Sequence, residues 1–384
     1  MPKLTTIKPI PLSIQYIDDP PTVFQEAWGR QLYVKVELGD LIGWGEVLVY
    51  GSGIVNSYIG VFNDVIIPAV TGEVVENTGD VLRLVNKLEK LLFTAGLCGV
   101  VTSAISGLEM ALWDALGKYL NKPISELLGT RIRNRVPVYA SFPRYSTIDY
   151  VIKAVDKALN NGFNMVKLHQ HVNDTVDSIK AIRKSVGYGV KIALDLNAAF
   201  NKPEKALEFL NNVHRYEPYW VEEPTWPPNN YELLAHVADE SQAPIAAGEN
   251  EYYISGFREL ARIRKLMYIQ PDVSKVGGLI RFMDIIKEVA ALGKPVAPHH
   301  RPHKSILTHL YTLHVASAIS NIAIVEWPLS WTNDIYDVGI EVKDGEVDLL
   351  RLMSSGVGVN VNEDALGKYP YVSKYAPLVF HEGI

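Results

Sequence analysis

Short runs of β-branched and aromatic residues recur along the middle of the chain, separated by stretches in which apolar residues have helical spacing. Runs of this composition, roughly four to eight residues long, are typical of buried strands. Eight such segments lie at residues 136–141, 164–170, 191–197, 219–224, 244–249, 268–273, 295–300 and 322–327. Helical stretches between them include residues 147–162, 174–187, 203–214, 278–293 and 305–320. The pattern predicts eight βα units.

Parallel βα units fold either into a closed barrel or into an open, doubly wound sheet. The eight units occupy roughly 220 residues, close to the length of about 250 residues that is typical of a (β/α)₈ barrel. An open sheet often carries a glycine-rich phosphate loop, and the motif GxGxxG is absent from this sequence. We therefore predict an α/β protein whose residues 131–357 form a TIM barrel.

The first 130 residues follow another pattern. Residues 7–17, 30–40 and 43–53 resemble the strands of an antiparallel meander with Gly and Asp turns. Apolar residues then recur at three- and four-residue spacing over residues 104–129, which predicts helices. We expect residues 1–130 to form an α+β capping domain, completed by the tail at about residues 358–384.

Composition and charge exclude several classes of partner. With 48% apolar residues and a net charge of −6, the chain lacks the basic face that binds nucleic acid. It has no apolar run of the 18 or so residues that cross a bilayer and no secretory signal, so we expect no membrane partner. Its one cysteine, Cys98, excludes an internal disulfide and a cysteine-built metal site. We expect a cytoplasmic protein.

Three acidic residues occupy matching positions at the ends of consecutive predicted strands. Asp195, Glu222 and Glu249 end the third, fourth and fifth strands, each 27 residues after the one before. Active sites of such barrels lie at the carboxyl ends of the strands, so these side chains should converge. Three converging carboxylates repel one another unless a cation lies between them, and Mg²⁺ prefers oxygen ligands. Capping of the following helices is the competing interpretation for each carboxylate taken singly.

Bases flank this acidic group on both sides. Lys167 and His169 are two residues apart on the second strand, so both face the same way. Asp272 ends the sixth strand and His299 the seventh, and a carboxylate beside a histidine fixes its tautomer and stabilises its protonated form. Glu326 ends the eighth strand. We expect Lys167 and His169 on one wall of a site and an Asp272–His299 dyad on the other. Lys275 is a rival base.

These motifs together resemble the enolase superfamily, and within it the mandelate racemase subgroup. The segments that carry the resemblance, in chain order, are GWGEV (43–47), LEMALWDALGKYLNKPISELLG (108–129), LDLN (194–197), VEEP (221–224), AAGEN (246–250), QPDVSKVGG (270–278) and PH (298–299). The resemblance implies a modified barrel under an α+β cap, with Mg²⁺ on the three carboxylates. It also implies removal of the proton next to a substrate carboxylate, with the metal and Lys167 stabilising the resulting enediolate.

The chain departs from the subgroup on its second strand. Many members carry Lys-x-Lys there, whereas this sequence has Lys167-x-His169. A histidine can protonate a leaving hydroxyl as well as accept a proton, so the change weakens any direct transfer of racemase activity. The position of Glu326 in the subgroup implies a hydrogen bond from its protonated form to a substrate carboxylate.

Our first hypothesis is a carbon–oxygen lyase that dehydrates an acid sugar of the aldonate type to a 2-keto-3-deoxy acid. Either His169 or His299 would remove the C2 proton, and the opposite residue would protonate the leaving C3 hydroxyl. A racemase or epimerase that uses the same two walls is the second hypothesis. A cycloisomerase or dipeptide epimerase with Lys275 as a base is the third, and a binding or structural protein that has lost catalysis is the fourth.

Substrate contacts are less evident from the sequence. Asn197 should face inward beside Asp195 and contact substrate, and Arg144, just after the first strand, is a second candidate. Cap loops near residues 15–30 and 50–63 should set specificity, because loops carry most binding residues. We expect a small-molecule carboxylate as the ligand, and the resemblance favours a homo-oligomer, a dimer or an octamer.

Overall fold

The computed structural model describes residues 1–15, 19–23, 28–49, 54–301, 304–332, 334–336 and 338–374. Its strands are β1 (Leu4–Ser13), β2 (Arg30–Leu38), β3 (Leu41–Val47), β4 (Arg135–Ser141), β5 (Met165–Leu168), β6 (Lys191–Asp195), β7 (Trp220–Glu222), β8 (Ile245–Ala247), β9 (Leu266–Ile269), β10 (Val325–Pro328), β11 (Val342–Lys343) and β12 (Glu346–Asp348).

Its α-helices are α1 (Val55–Val61), α2 (Ile67–Val70), α3 (Thr78–Leu92), α4 (Gly99–Tyr119), α5 (Ile124–Leu128), α6 (Ile148–Asn160), α7 (Val172–Val186), α8 (Pro203–His214), α9 (Tyr231–Glu240), α10 (Ile254–Arg262), α11 (Leu279–Ala291), α12 (Leu307–Ala318) and α13 (Glu363–Leu366). A π-helical turn, Phe62–Ile66, joins α1 to α2, and short 3₁₀ helices lie at Phe93–Ala95 and Leu349–Leu352. None of the helices in these described ranges is long and apolar enough to span a bilayer.

The N-terminal part is built on an antiparallel sheet in the order β1-β2-β3, against which α4 packs closely. A Cβ atom added at Gly43 of β3 would lie only 2.1 Å from the carbonyl oxygen of Ala111 in α4. Buried Asp114 of α4 ties the pieces together, accepting hydrogen bonds from the backbone amides of Trp44 and Val357, each at 2.9 Å. The glycines of GWGEV therefore permit close contact between α4 and β3, and the carboxylate of Asp114 stabilises that contact.

The C-terminal segment returns to this same sheet, as predicted for the cap. Pro370 forms an antiparallel bridge with Leu12 of β1, and Glu363 pairs with Lys35 of β2 at 2.9 Å. The last part of the predicted tail, residues 375–384, lies outside the described residues.

The remainder forms the predicted α/β barrel. Parallel strands follow one another in the order β4-β5-β6-β7-β8-β9, and β10 pairs in parallel with β4. Between β9 and β10 the sheet continues through isolated parallel bridges from Ile269 to Val296 and from Val296 to Ile322. The hairpin of β11 and β12 adds antiparallel strands to the outer end of β4.

The seventh strand is the one that differs from expectation. The sequence pattern predicts a strand over residues 295–300, whereas the structure has only the bridge at Val296. Pro295 and Pro298 flank this position, and proline has no backbone N–H to donate to a ladder. The chain therefore crosses the barrel wall with β-bridges at Val296 alone, although the amides of Ala297 and His299 still donate to Ile269 and Pro271 of the neighbouring segment.

All five helices predicted between the strands are present as α6, α7, α8, α11 and α12, with ends within two residues of the expected ones. The hydroxyl of Thr147 caps α6, accepting a hydrogen bond from the Tyr150 amide. Helices α9 and α10 complete the fourth and fifth βα units. Each of these barrel helices connects two neighbouring strands.

Glu109 of α4 joins the cap to the barrel at the start of α11. Its buried carboxylate accepts hydrogen bonds from the backbone amides of Leu279 at 2.7 Å and Ile280 at 3.0 Å. Burial raises the pKa of Glu109 to about 7, although these donors and Trp113 oppose the shift. The α11 amides that lack a partner within the helix thus receive one from the cap.

Candidate active site

Alternation along the barrel strands places one layer of apolar side chains inside the barrel. The layer consists of Tyr139, Met165, Ala193, Trp220, Ala246, Tyr268 and Ala297, with Ile324 packed against it. Polar residues stand two positions further along seven of these segments, at Ser141, Lys167, Asp195, Glu222, Gln270, His299 and Glu326. Because residues two apart on a strand share a face, the mouth of the barrel is lined by polar groups above an apolar floor.

The three predicted metal ligands converge at this mouth. Asp195 and Glu222 are Cα neighbours in the β6–β7 ladder, and Glu249 follows β8. One carboxylate oxygen from each lies within 4.8 Å of those of the other two, and all three residues are buried. Gly248, with φ 133°, provides the turn that brings Glu249 to the same side, since strict alternation from Ala246 would point it away.

The donor set of this acidic cluster fits a hard divalent cation. Burial and the neighbouring charges of Asp195, Glu326 and Glu249 raise the pKa of Glu222 well above its usual value, although Lys167 opposes the shift. Atom Oδ2 of Asp195 is buried, and its neighbours are two cationic or potentially cationic groups, Lys167 Nζ at 3.3 Å and His169 Nε2 at 2.8 Å. A cation that takes one oxygen from each of the three carboxylates would relieve the repulsion among them.

Lys167 lies under the cluster and contacts three carboxylates. Its fully buried Nζ is 2.9 Å from Glu222 Oε1, 3.0 Å from Glu326 Oε1 and 3.3 Å from Asp195 Oδ2. Burial alone would lower the pKa of Lys167, but these carboxylates outweigh it and raise the pKa well above its usual value. The residue therefore provides a fixed positive charge at the base of the site.

His169 forms the adjoining wall. Its Nε2 lies 2.8 Å from Asp195 Oδ2, while its buried Nδ1 has no hydrogen-bond partner in the part of the chain that the structure describes. The ring of Trp28, from the cap, meets the imidazole edge-on with centroids 5.9 Å apart. The backbone oxygen of His169 accepts a hydrogen bond from Arg144 Nε at 2.9 Å. Cap and barrel thus both hold this imidazole in place.

The two predicted substrate contacts lie beside these walls. Buried Arg144 supports the loop after β5 through His169 and contacts His171 at 3.2 Å. Burial lowers the pKa of Arg144 to about 10, a value at which it remains charged at neutral pH. Asn197 has a positive φ of 45°, its amide donates to Asp195 Oδ1 at 2.9 Å, and its own Oδ1 is buried without a partner among the described residues. That strained backbone and free acceptor are features common at ligand sites.

The opposite wall contains the predicted dyad. His299 Nδ1 lies 2.7 Å from Asp272 Oδ2, and its Nε2 lies 3.0 Å from Glu249 Oε2. Burial alone would lower the pKa of His299, but Glu249, Asp272 and Glu326 raise it to about 9. Ser274 fixes the second oxygen of Asp272 through its amide and its hydroxyl, at 2.7 and 2.5 Å. The imidazole is therefore held with Nε2 towards the acidic cluster.

Glu326 completes the ring of polar groups. Its Oε2 accepts a hydrogen bond from the His300 amide at 2.9 Å, and its Oε1 contacts Lys167. Burial would raise the pKa of Glu326, but Lys167, His299 and His169 lower it. Glu326 is therefore ionised in this state, whereas the family resemblance implies a protonated carboxyl when substrate is bound.

Three supporting residues were not identified from the sequence. Gln270 Nε2 and Trp220 Nε1 both donate to Glu222 Oε2, at 2.7 and 3.1 Å. Asn250 Nδ2 donates to Glu249 Oε1 at 3.1 Å and to Glu223 Oε2 at 2.7 Å. Trp220 is two residues before Glu222, and Gln270 is two residues before Asp272. Because residues two apart on a strand share a face, this spacing indicates that both side chains point into the site.

Lys275, the rival base, is engaged elsewhere in this structure. Its Nζ donates to the carbonyl oxygen of Glu249 and to Asn250 Oδ1, the latter at 3.1 Å, and it lies 5.1 Å from the centre of the Tyr252 ring. It therefore supports the loop that carries Glu249.

Comparisons with known proteins agree with this architecture. The family described as enolase C-terminal domain-like matches residues 150–365. The family described as mandelate racemase / muconate lactonizing enzyme, N-terminal domain, matches residues 14–129.

Similar proteins include two named dehydratases. Arabinonate dehydratase of Saccharolobus solfataricus is 30% identical over 347 residues, which cover 87% of this chain and 89% of that protein. D-galactonate dehydratase of Klebsiella pneumoniae is 26% identical, with 91% and 92% covered. A solved structure of an enolase-superfamily member from Polaromonas sp. JS666 has a TM-score of 0.85 at 27% identity, covering 98% of this chain and 100% of that one. The chain therefore belongs to the enolase superfamily, in its mandelate racemase and muconate lactonizing enzyme branch.

Proposed function

We propose that this protein is a Mg²⁺-dependent dehydratase of an acid sugar of the aldonate type, which yields a 2-keto-3-deoxy acid. The observation that carries the proposal is the pair of histidines, His169 and His299, whose Nε2 atoms approach the acidic cluster from opposite walls. Dehydration needs one group to take a proton and another to deliver one. The similar proteins named as arabinonate and D-galactonate dehydratases support this choice.

Asp195, Glu222 and Glu249 would hold the Mg²⁺ ion, in keeping with their oxygen donors and their mutual distances. When bound, the ion would supply positive charge beside the substrate carboxylate, where negative charge develops on loss of the adjacent proton. Lys167 would add a second fixed charge on the same side.

The histidines of the two walls each perform one of the two proton transfers. One histidine takes the proton from C2, and the electron pair of that C–H bond forms the C2–C3 double bond of an enol. The opposite histidine gives its proton to the C3 hydroxyl, whose C–O bond breaks, and water leaves. The enol then tautomerises to the 2-keto acid. Asp272 keeps the His299 imidazole oriented throughout, through the 2.7 Å contact with its Nδ1.

Other residues would bind the substrate. We assign Glu326 to one carboxylate oxygen, to which it would donate in its protonated form once the substrate is bound. Asn197 is assigned to a hydroxyl near the reacting carbons, because its side-chain oxygen is buried and unsatisfied among the described residues. Arg144 would act mainly by holding the loop of His169, and mutagenesis would test whether it also contacts the substrate directly.

The test is to incubate the protein and Mg²⁺ with arabinonate, galactonate, xylonate and related acids in D₂O and to assay 2-keto acid and C2 deuteration. The proposal expects keto product from at least one acid. His169→Asn and His299→Asn, assayed on that acid, then identify the roles. Loss of the base abolishes deuteration at C2, whereas loss of the acid can leave deuteration while stopping elimination. Deuteration by the native protein without any keto product would reject dehydration.

That last outcome would favour the second candidate, a racemase or epimerase of a 2-hydroxy acid. The opposed histidines also suit such a reaction, in which one removes and the other returns a proton at the same carbon. A cycloisomerase or dipeptide epimerase is less well supported, because Lys275 is bound by the Glu249 carbonyl and by Asn250. If Lys275→Ala removed all activity while His299→Asn retained it, the choice of His299 over Lys275 as the acid–base residue would be wrong.

We also expect a homo-oligomer, a dimer or an octamer. Light scattering coupled to size-exclusion chromatography measures this directly, and a monomer at micromolar concentration would contradict the expectation.

A further inference from the structure

A cavity of about 790 Å³ opens beside the acidic cluster. Glu249 and Asn197 belong to its wall, and it extends along the loops that follow β7 and β8 to Trp226 and Tyr253. The side chains of Trp226 and Tyr253 are 56% and 46% exposed, which is unusual for aromatic residues of this size. Cavities of this size typically receive a small molecule on apolar walls with a few polar groups.

The charge of this cavity has one sign. Its described wall includes three acidic residues, Glu249, Glu251 and Glu259, and contains neither lysine nor arginine. The stretches outside the described residues also lack both residue types in their sequence. Beyond the metal site, no basic side chain is therefore available on this wall to meet a second anionic group of a ligand.

The acidic residues are fixed by other contacts. Glu251 accepts hydrogen bonds from the Tyr231 hydroxyl and from the amides of Tyr252 and Tyr253, which are neutral donors. Glu259 pairs with Arg262 at 2.5 Å, so its charge is partly compensated, whereas that of Glu251 has no cationic partner among the residues described. A second carboxylate entering this cavity would therefore meet an uncompensated like charge.

We propose that this cavity receives the end of the substrate remote from C1 and selects an uncharged polyol end over a second carboxylate. The inference rests on the proposed dehydratase function, and it assigns the exclusion of dicarboxylic aldarates to the wall of this cavity. Trp226 and Tyr253 provide apolar faces against which the C–H groups of an extended polyol pack. Because like charges brought together cost several kcal/mol, we expect about a 100-fold preference for an aldonate over the aldarate of the same stereochemistry.

The experiment compares each six-carbon aldonate with its matching aldarate on the Mg²⁺-loaded protein. Galactonate is paired with galactarate, and gluconate with glucarate. Turnover is measured as kcat/KM on the native protein, and binding as Kd by calorimetry on His299→Asn. Ser255→Arg adds a cation to the cavity wall at an exposed position of α10 and should reduce the preference about tenfold, by improving the aldarate. Asn229→Arg adds one from another loop of the wall, in case the first variant folds poorly. Ser185→Arg, exposed on α7 and not in the wall, is the matched control.

Tighter binding and faster turnover of the aldonate, reduced by Ser255→Arg or Asn229→Arg but not by Ser185→Arg, would support the proposal. Equal or tighter binding of the aldarate to the native wall would overturn it, whether or not any acid is turned over. Selective binding of aldonates without keto product would instead reject the dehydratase function while retaining the selectivity of the cavity.

Discussion

Replacement of Lys167 by methionine tests the electrostatics of the site most sharply. Methionine has nearly the length of the lysine stem, so Lys167→Met removes a charge from a fully buried position with little change in packing. The substitution breaks the ion pairs of Nζ with Glu222, Glu326 and Asp195, all within 3.3 Å. Removing one partner of a buried ion pair costs about 3–5 kcal/mol, because the remaining charge is left uncompensated.

That cost converts to a measurable shift in melting temperature. An unfolding entropy of about 2 cal/mol/K per residue gives this chain about 0.8 kcal/mol/K, so a loss of 4 kcal/mol lowers Tm by about 5 °C. The assay is a thermal melt in EDTA followed by circular dichroism or calorimetry. Added Mg²⁺ should reduce this difference in Tm, since the cation compensates two of the same carboxylates, Asp195 and Glu222. We also expect kcat to fall at least about 100-fold.

The control is Lys205→Met. Lys205 forms an exposed pair with Glu208 on α8, and exposed pairs contribute little to stability, so its Tm should not change. If Lys167→Met melted within 1 °C of the native protein in EDTA, the inferred network of buried charges around Lys167 would be wrong.

Three further predictions concern other parts of the molecule. Asn250→Ala should weaken Mg²⁺ binding about 10- to 100-fold in calorimetric titrations, because it frees the carboxylate of Glu249; unchanged affinity would refute this role. Burial lowers the pKa of His314 to about 4, so the unfolded chain takes up a proton that the folded chain does not, and stability falls as pH decreases from about 6.5 towards 4. Between pH 7.5 and 5, the free energy of unfolding of His314→Gln should therefore fall by about 2 kcal/mol less than that of the native protein, as measured in urea titrations; an equal fall in both proteins would contradict this. Gly43→Ala should destabilise the fold by about 1–3 kcal/mol, since its Cβ would collide with the Ala111 carbonyl; an unchanged urea midpoint would show that α4 can move away.

The barrel and its acidic cluster were predictable because both follow from a repeated unit. Each βα unit returns the chain to the same edge of the sheet, so Asp195, Glu222 and Glu249, 27 residues apart, arrive side by side. Because Lys167 and His169 are two residues apart on one strand, the sequence also predicts that they face the same side, and both contact Asp195. The predicted proximity of these residues is therefore confirmed by geometry, whereas their catalytic roles stay predictions.

Other features depend on contacts that no local pattern encodes. Gln270 meets Glu222 across 48 residues of sequence, from a strand two places away in the sheet, so their contact depends on the packing of side chains inside the barrel. Asn250 follows Glu249 directly, yet its role depends on the turn at Gly248 and on Glu223, whose φ of 42° turns its side chain into the same network.

At the seventh strand, by contrast, the sequence pattern predicts a regular element that the chain does not form. Its composition predicts a strand over residues 295–300, but the structure has β-bridges only at Val296, which lies between Pro295 and Pro298. The loop that follows delivers His299, so the missing ladder coincides with a functional position. The division between residues 130 and 131 and the cytoplasmic location stay predictions, as does specificity from cap loops, of which residues 16–18, 24–27 and 50–53 lie outside the described ranges.

The most direct test of the central claim is a titration of the chelated protein with Mg²⁺, following bound metal and 2-keto product together. If Asp195, Glu222 and Glu249 jointly hold the ion, one Mg²⁺ binds per chain and activity returns in proportion, while Asp195→Asn and Glu249→Gln lose both. Full activity after exhaustive chelation, or unchanged binding in either variant, would contradict it.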